Sequence, residues 1–380
     1  MKKSNDRILT THTGKLFRPG AGWVGMIEAT TPSTPQEVRE VVEELVTAQL
    51  KIGLDVISNG EPAGMGPFNL HDVIDGIELK PYQEGQSWKF LSREHQQYAD
   101  FYSNEQAMHR MMGAVPAYLA MRQVVTGPLR LKTLDPLLRD LRIFNDALRG
   151  KIVTEAFYNV ISPLWAEEFL FNEYYASDLD MTAALADAMA PMFKAVVDTG
   201  LLLQLDDAAI THEWEEVCLG PMTLAEYERF IMPRVEVQNA ALAGVPEDRI
   251  RYHICWASNP GLHIDNIPLK DIVKMLLKVK AQAYLIESAK ATHQHEWKVW
   301  RDVVKLPEGK ILIPGVVDHT TNVVEHAEVI ADRLITFANV VGRENVMAGT
   351  DCGMRGHATA NWLKYQNIVK GAQLASQQLW

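Results

Sequence analysis

Short, nearly uninterrupted apolar runs recur along this chain, among them LLLQLD (201–206), ILIPGVV (311–317) and NVMAG (345–349). A strand with one wet face alternates apolar and polar residues. A strand that is apolar throughout must be covered on both faces, and such strands belong to parallel sheets. Eight segments read this way: Arg7–Gly14, Leu54–Glu61, Gln123–Leu131, Leu201–Ala208, Arg249–Ser258, Ala283–Ala289, Lys310–His319 and Asn345–Met354. Helical patterns stand between most of them. TPSTPQEVREVVEELVTAQLKIG opens with Thr and Pro, carries early glutamates and stops at Gly53. LKDIVKMLLKVKA and VIADRLITFANVVG repeat their apolar residues at helical spacing. Eight strands alternating with helices predict an α/β chain folded as a (β/α)8 TIM barrel, a single domain over residues 1–380. A doubly wound open sheet is the rival. Two stretches break the alternation. Residues 62–122, with PYQEGQSWKF and QQYADFY, read as a long insertion after the second strand, and residues 132–200 carry extra helices before the fourth.

Composition narrows the function. The net charge is −11 with no basic cluster, which argues against nucleic acid as the main partner. No apolar run reaches the roughly 18 residues a membrane span needs. The opening MKKSNDRILTTHTG has lysines but lacks the apolar stretch of a secretory signal. Three scattered cysteines do not form a disulfide framework, so a reducing cytoplasm is the default compartment.

In a parallel barrel the chemistry collects at the C-terminal ends of the strands. Here those ends read THTGK, SNGE, QLDD, YHICW, IES, VVDH and GTDCG. Among them His253, Cys255, Glu287 and Cys352 are residue types that ligate zinc. Residues two apart on an extended strand share a face, so His253 and Cys255 can address one ion. Glu287 and Cys352 arrive from two further strand ends, giving one zinc per chain. Two thiolates and a carboxylate around Zn2+ leave the site at about −1. Such a site is a poor activator of water, but it suits a thiol that must lose its proton and remain nucleophilic. The chemistry expected is alkyl transfer to sulfur. Cys218, away from the strand ends, reads as a buried apolar residue.

The segments GLDVISNGEP, LQLDD, YHIC, LIES, GVVDH and GTDCG, in that order, resemble the C-terminal catalytic barrel of the cobalamin-independent methionine synthases. Among these the chain is most similar to the single-barrel epoxyalkane:coenzyme M transferase (2-hydroxypropyl-CoM lyase) type. The resemblance runs from ILTTHTG to DCGM. It implies a TIM barrel whose zinc activates a thiol, with His253, Cys255, Glu287 and Cys352 as ligands, Glu61 and Asp206 lining the thiol pocket, and His319 as the acid near the leaving group. Two departures bear on the substrate. The family's Gly-Ser after the first strand is Gly14-Lys15 here, and its folate-stacking tryptophan after the third strand is replaced by TGPLRLKTLD.

Lys15 and Arg18 place positive charge beside the expected pocket and would suit a sulfonate or carboxylate on the thiol. The leading expectation is therefore that coenzyme M attacks a short epoxide while His319 protonates the opening oxygen. The alternative is methyl transfer to homocysteine, whose ammonium would suit Glu61 and Asp206. The partners are thus a small thiol and a small alkyl donor. A homo-oligomer through apolar barrel helices stays open. Trp88 and Trp256 are candidate stacking surfaces that read more readily as packing. His293 and His295 read as loop residues, and Asp318 and Asp351 as groups orienting His319 or a zinc ligand. His12 either faces the pocket or meets a hydrogen bond in the core. A zinc-free binding protein or a decarboxylase-like barrel is the reading from a different class.

Overall fold

The computed structural model describes residues 1–24, 34–62, 69–82, 93–102, 121–215, 220–256 and 261–380. Most of the stretch expected as an insertion at 62–122, with Trp88 in it, lies outside the described residues, as does Cys218.

The strands in chain order are β1 Leu9–Thr10, β2 Trp23–Val24, β3 Val56–Ser58, β4 Ile74–Pro81, β5 Met121–Leu131, β6 Glu155–Ile161 and β7 Leu170–Asn172. They continue with β8 Leu202–Asp207, β9 Ile250–Ile254, β10 Ala283–Ile286, β11 Ile311–Pro314, β12 Met347–Ala348 and β13 Gly356–His357. Six of them pair in the order β11-β10-β9-β8-β6-β3, all parallel, as a curled half-barrel. β1 and β12 form a separate parallel pair. The regular pairing thus supports an α/β fold with a curled parallel sheet, and the closed ring expected from the sequence is not drawn by regular ladders.

The third strand of the sheet differs from the one expected. Gln123–Leu131 does lie in a strand, β5, but β5 pairs antiparallel with β4 and parallel with β7 in a sheet of its own. Its place between β3 and β8 is taken by β6, EAFYNVI, from the stretch read as surplus helix. The extra helices there are Asp135–Leu148 and Asp178–Asp198.

Local signals explain the element ends. The helix Pro35–Ile52 starts with a reciprocal capping box between Thr34 and Glu37 and stops where Gly53 takes a left-handed conformation at φ 90°. The sheet is buried on both faces. One small cluster, including Leu9, Val56, Phe157, Leu202, Leu285 and Met347, draws on most strands and fills the inner face. The larger core packs the helices against the outer face and also takes in Val125, Leu129 and Leu170 from the second sheet. No helix among the described residues is long and apolar enough to cross a membrane.

Candidate metal centre

The alternation RYHIC decides what one face of β9 presents. Arg251, His253 and Cys255 share it, while Tyr252 and Ile254 belong to the larger core. Cys352 follows β12 and reaches the same place. The ligand atoms of His253, Cys255 and Cys352 lie within 4.8 Å of one another. His253 Nε2 is 3.4 Å from Cys352 Sγ. A hydrogen bond from the Cys255 thiol, together with the charge of His253, holds Cys352 well below the ordinary thiol range, whereas Cys255 is pushed up. Two sulfurs sharing a proton beside an imidazole form a donor set that fits a soft, tetrahedral ion such as zinc.

Glu287 stands in an adjoining cluster, its ligand atom within 4.8 Å of those of His319 and Asp351. Its Oε1 accepts the Trp256 N–H at 2.8 Å, and its Oε2 is buried with no hydrogen-bond partner among the described residues. Burial raises the Glu287 carboxyl well above its usual value, and the charges of Asp351 and Cys352 add to that; its bond to the N–H of the residue after Cys255 ties it to the sulfur cluster. An orphaned, deeply buried carboxylate oxygen is the donor a fourth metal bond would engage. Asp351 fixes the turn that carries Glu287. Its carboxylate accepts the N–H groups of Ser288 at 2.7 Å, Ala289 at 2.9 Å and Lys290 at 2.8 Å.

A carboxylate wall adjoins the cluster. Asp206 is the register partner of His253 across β8 and β9, and it accepts Asn159 Nδ2 and Gln204 Nε2, both at 2.8 Å. Both amides also donate to Thr13 O, tying the end of β1 to this wall. Burial lifts Asp206 to about 6. Glu61 has a left-handed backbone at φ 55°, and burial together with Asp206 lifts its carboxyl to about 8. Strain of this kind in a residue other than glycine is retained where the surroundings enforce it, commonly at binding sites. Lys15 Nζ donates to Glu61 O at 2.9 Å, so this lysine does stand at the wall. Arg18 does not join it: its side chain is exposed and paired with Glu44 at 2.6 Å.

His319 is fully buried, and neither ring nitrogen has a hydrogen-bond partner among the described residues. Burial, reinforced by Lys290 and Arg355, lowers it to about 3 and keeps it neutral. Asp318 accepts from Thr320 N and Oγ1, both at 2.7 Å, and Lys364 Nζ donates to Asp318 O.

Other sequence candidates fall to packing. His12 donates from Nε2 to Gln49 Oε1 at 2.7 Å and accepts the Gly14 N–H at Nδ1. Trp256 is buried, donates to Ile267 O and lies against His293, with ring centroids 4.3 Å apart. His293 is buried between Glu296 and Asn266, whereas His295 is exposed.

Sequence reasoning missed Arg251, Lys290 and Arg355. Arg251 is wholly buried, bonds Thr11 Oγ1 and His12 O, and stacks over Phe157 at 3.8 Å. Its signal was available: the rule that pairs His253 with Cys255 also places Arg251 on their face. Lys290 and Arg355 each lie three residues beyond a candidate ligand, in turns with no periodic signal.

Fold and site together define an α/β protein with a sulfur-rich cluster at the ends of parallel strands that could hold a metal ion. Residues 180–374 match the family described as cobalamin-independent synthase, catalytic domain, and the chain belongs to that family. The chain is 25% identical over 224 residues to a methionine synthase of Thermococcus kodakarensis. It is 24% identical over 259 residues to one of Sulfolobus acidocaldarius. These matches cover 58% and 67% of this chain but only 57% and 66% of the relatives' lengths. In fold it is similar to a B12-independent methionine synthase of Shewanella sp. W3-18-1, solved with selenomethionine. The TM-score is 0.69 at 16% identity, over 98% of this chain and 99% of that one.

Proposed function

We propose that this protein is a zinc-dependent thiol methyltransferase that methylates homocysteine, with His253, Cys255, Glu287 and Cys352 as the metal ligands. The observation that carries this reading is the meeting of His253, Cys255 and Cys352, within 4.8 Å of one another, with the paired carboxylates Glu61 and Asp206. A zinc ion held there would supply the positive centre that strips the proton from an incoming thiol.

The protein's own groups choose the thiol. Glu61 and Asp206 are suited to an ammonium, which homocysteine has and coenzyme M lacks. With relatives named methionine synthases, this moves the weight from the coenzyme M expectation to homocysteine, and it leaves an epoxide donor without support. Lys15, next to Glu61, is suited to the carboxylate borne on the same carbon as the ammonium. His319, neutral and with no hydrogen-bond partner among the described residues, is suited to hold a proton near the departing group. We also read the sheet as a closed eight-stranded barrel. At one seam Asp55 N–H donates to Thr10 O at 3.1 Å, and at the other stand the bridges Leu312–Val346 and Gly315–Gly349.

The test combines metal analysis with product analysis. The expected result is one zinc per chain, lost in Cys255→Ser and in Cys352→Ser, and methionine formed from homocysteine and a methyl donor. A folded Cys352→Ser protein that keeps its activity without zinc overturns the proposal. A thioether built on coenzyme M but not on homocysteine overturns the choice of acceptor.

A further inference from the structure

Two walls of opposite charge meet at Cys352. The charges acting most on Glu61 are Asp206, Lys15 and Cys352. Those acting on Arg355 are Cys352, Cys255 and Glu287. Arg355 is anchored by its backbone, whose N–H reaches His319 O at 3.3 Å. Its Nη1 is buried and has no hydrogen-bond partner among the described residues. A guanidinium offers five donors in a fixed fork, and a buried donor left unmet costs free energy that a bound acceptor would recover. The Lys290 ammonium lies on the same side, its Nζ 2.8 Å from His263 Nε2, and it acts on both Glu287 and His319.

Arg355 Nη1 therefore stands beside the sulfur cluster as a buried donor that no acceptor among the described residues meets. Homocysteine cannot meet it while its ammonium lies at Glu61 and Asp206. Its carboxylate is on the same carbon and stays on the Lys15 side. The group facing Arg355 then belongs to the second reactant.

We propose that Arg355 binds an anionic group, a carboxylate, sulfonate or phosphate, carried by the alkyl donor, and so aims the carbon to be transferred at the thiol sulfur. In the transfer the sulfur–carbon bond forms as the bond from carbon to the leaving group breaks. The leaving group departs with that electron pair, and the thiol proton has already been lost. This rests on the thiol-transfer reading above, and the experiment separates the failure of one from the failure of the other.

Iodoacetate and iodoacetamide serve as donor probes that differ in charge; each loses iodide as the sulfur–carbon bond forms. Their alkylation rates are compared on homocysteine bound to the zinc-loaded protein, and on Cys352 after chelation, with mass spectrometry locating the adduct. Wild type is expected to favour iodoacetate, relative to a free thiol, by about tenfold more than Arg355→Gln does, with part of that preference restored in Arg355→Lys. An unchanged preference in Arg355→Gln at both sulfurs overturns the proposal. Selectivity at Cys352, with homocysteine left unactivated, keeps the anion position and rejects the thiol-transfer reading. If Arg355→Gln does not fold, the wild type is challenged with ethanesulfonate. Slowing of iodoacetate alone supports the proposal, and equal slowing of both probes overturns it.

Discussion

His12 is buried without exposure, and its bonds fix its form. Nδ1 accepts from Gly14, so Nε2 carries the proton and donates to Gln49, whose amide in turn bonds Leu45 O and Ser58 O. Burial lowers this imidazole from 6.5 to about 3. Between those values the unfolded chain binds a proton that the folded chain refuses, so stability falls as pH falls. The slope from this residue is about 1.4 kcal/mol per pH unit. Urea unfolding between pH 6.5 and pH 4 is expected to show a shallower acid loss in His12→Gln, by close to one proton; a parallel pair of curves refutes this. Gly14 is the neighbouring constraint. At φ 143° an added Cβ would lie 2.0 Å from Glu61 Oε1 and 2.4 Å from Asn159 Nδ2. Gly14→Ala is expected to cost about 2 kcal/mol and to weaken homocysteine binding by moving Glu61, as calorimetry can measure.

Among the elements, β9 was the most legible, because its two-residue alternation reports both strand and ligand face. β6 was lost for the opposite reason. EAFYNVI is short and mixed in polarity, and its burial comes from lying between β3 and β8, which no local pattern states. β5 misled because its residues are good strand formers. Its burial is nonetheless uneven, and Arg122 within it pairs with Glu173 beyond the adjacent strand. The turn after β10 depends on a residue from after β12, a contact sequence spacing does not reveal. Asn at position 351 would turn an amide toward backbone N–H groups that need an acceptor. Asp351→Asn is therefore expected to lose about 2 kcal/mol and to weaken zinc affinity through Glu287; unaltered thermal stability and metal content rule this out.

At the scale of the molecule, the candidate metal ligands join β9 to a segment almost a hundred residues later, and a bound ion would act as a clasp across the sheet. Chelation is expected to lower the melting temperature by several degrees in wild type and not in Cys352→Ser, since binding to the folded chain alone stabilises it. Equal melting with and without chelator in the wild type contradicts the clasp. The strand alternation and its polar ends could be read before any coordinates, because both follow from burial on two faces. The cationic wall could not, since Lys290 and Arg355 come to bear on His319 only after the sheet has curled. Arg251 bears on traffic through the pocket. With its guanidinium lodged over Phe157 and aliphatic side chains packed beyond, that end of the sheet's inner face is filled by protein. Under the proposed thiol transfer, acceptor and donor would both have to arrive from the opposite end, where Cys255 and Cys352 stand.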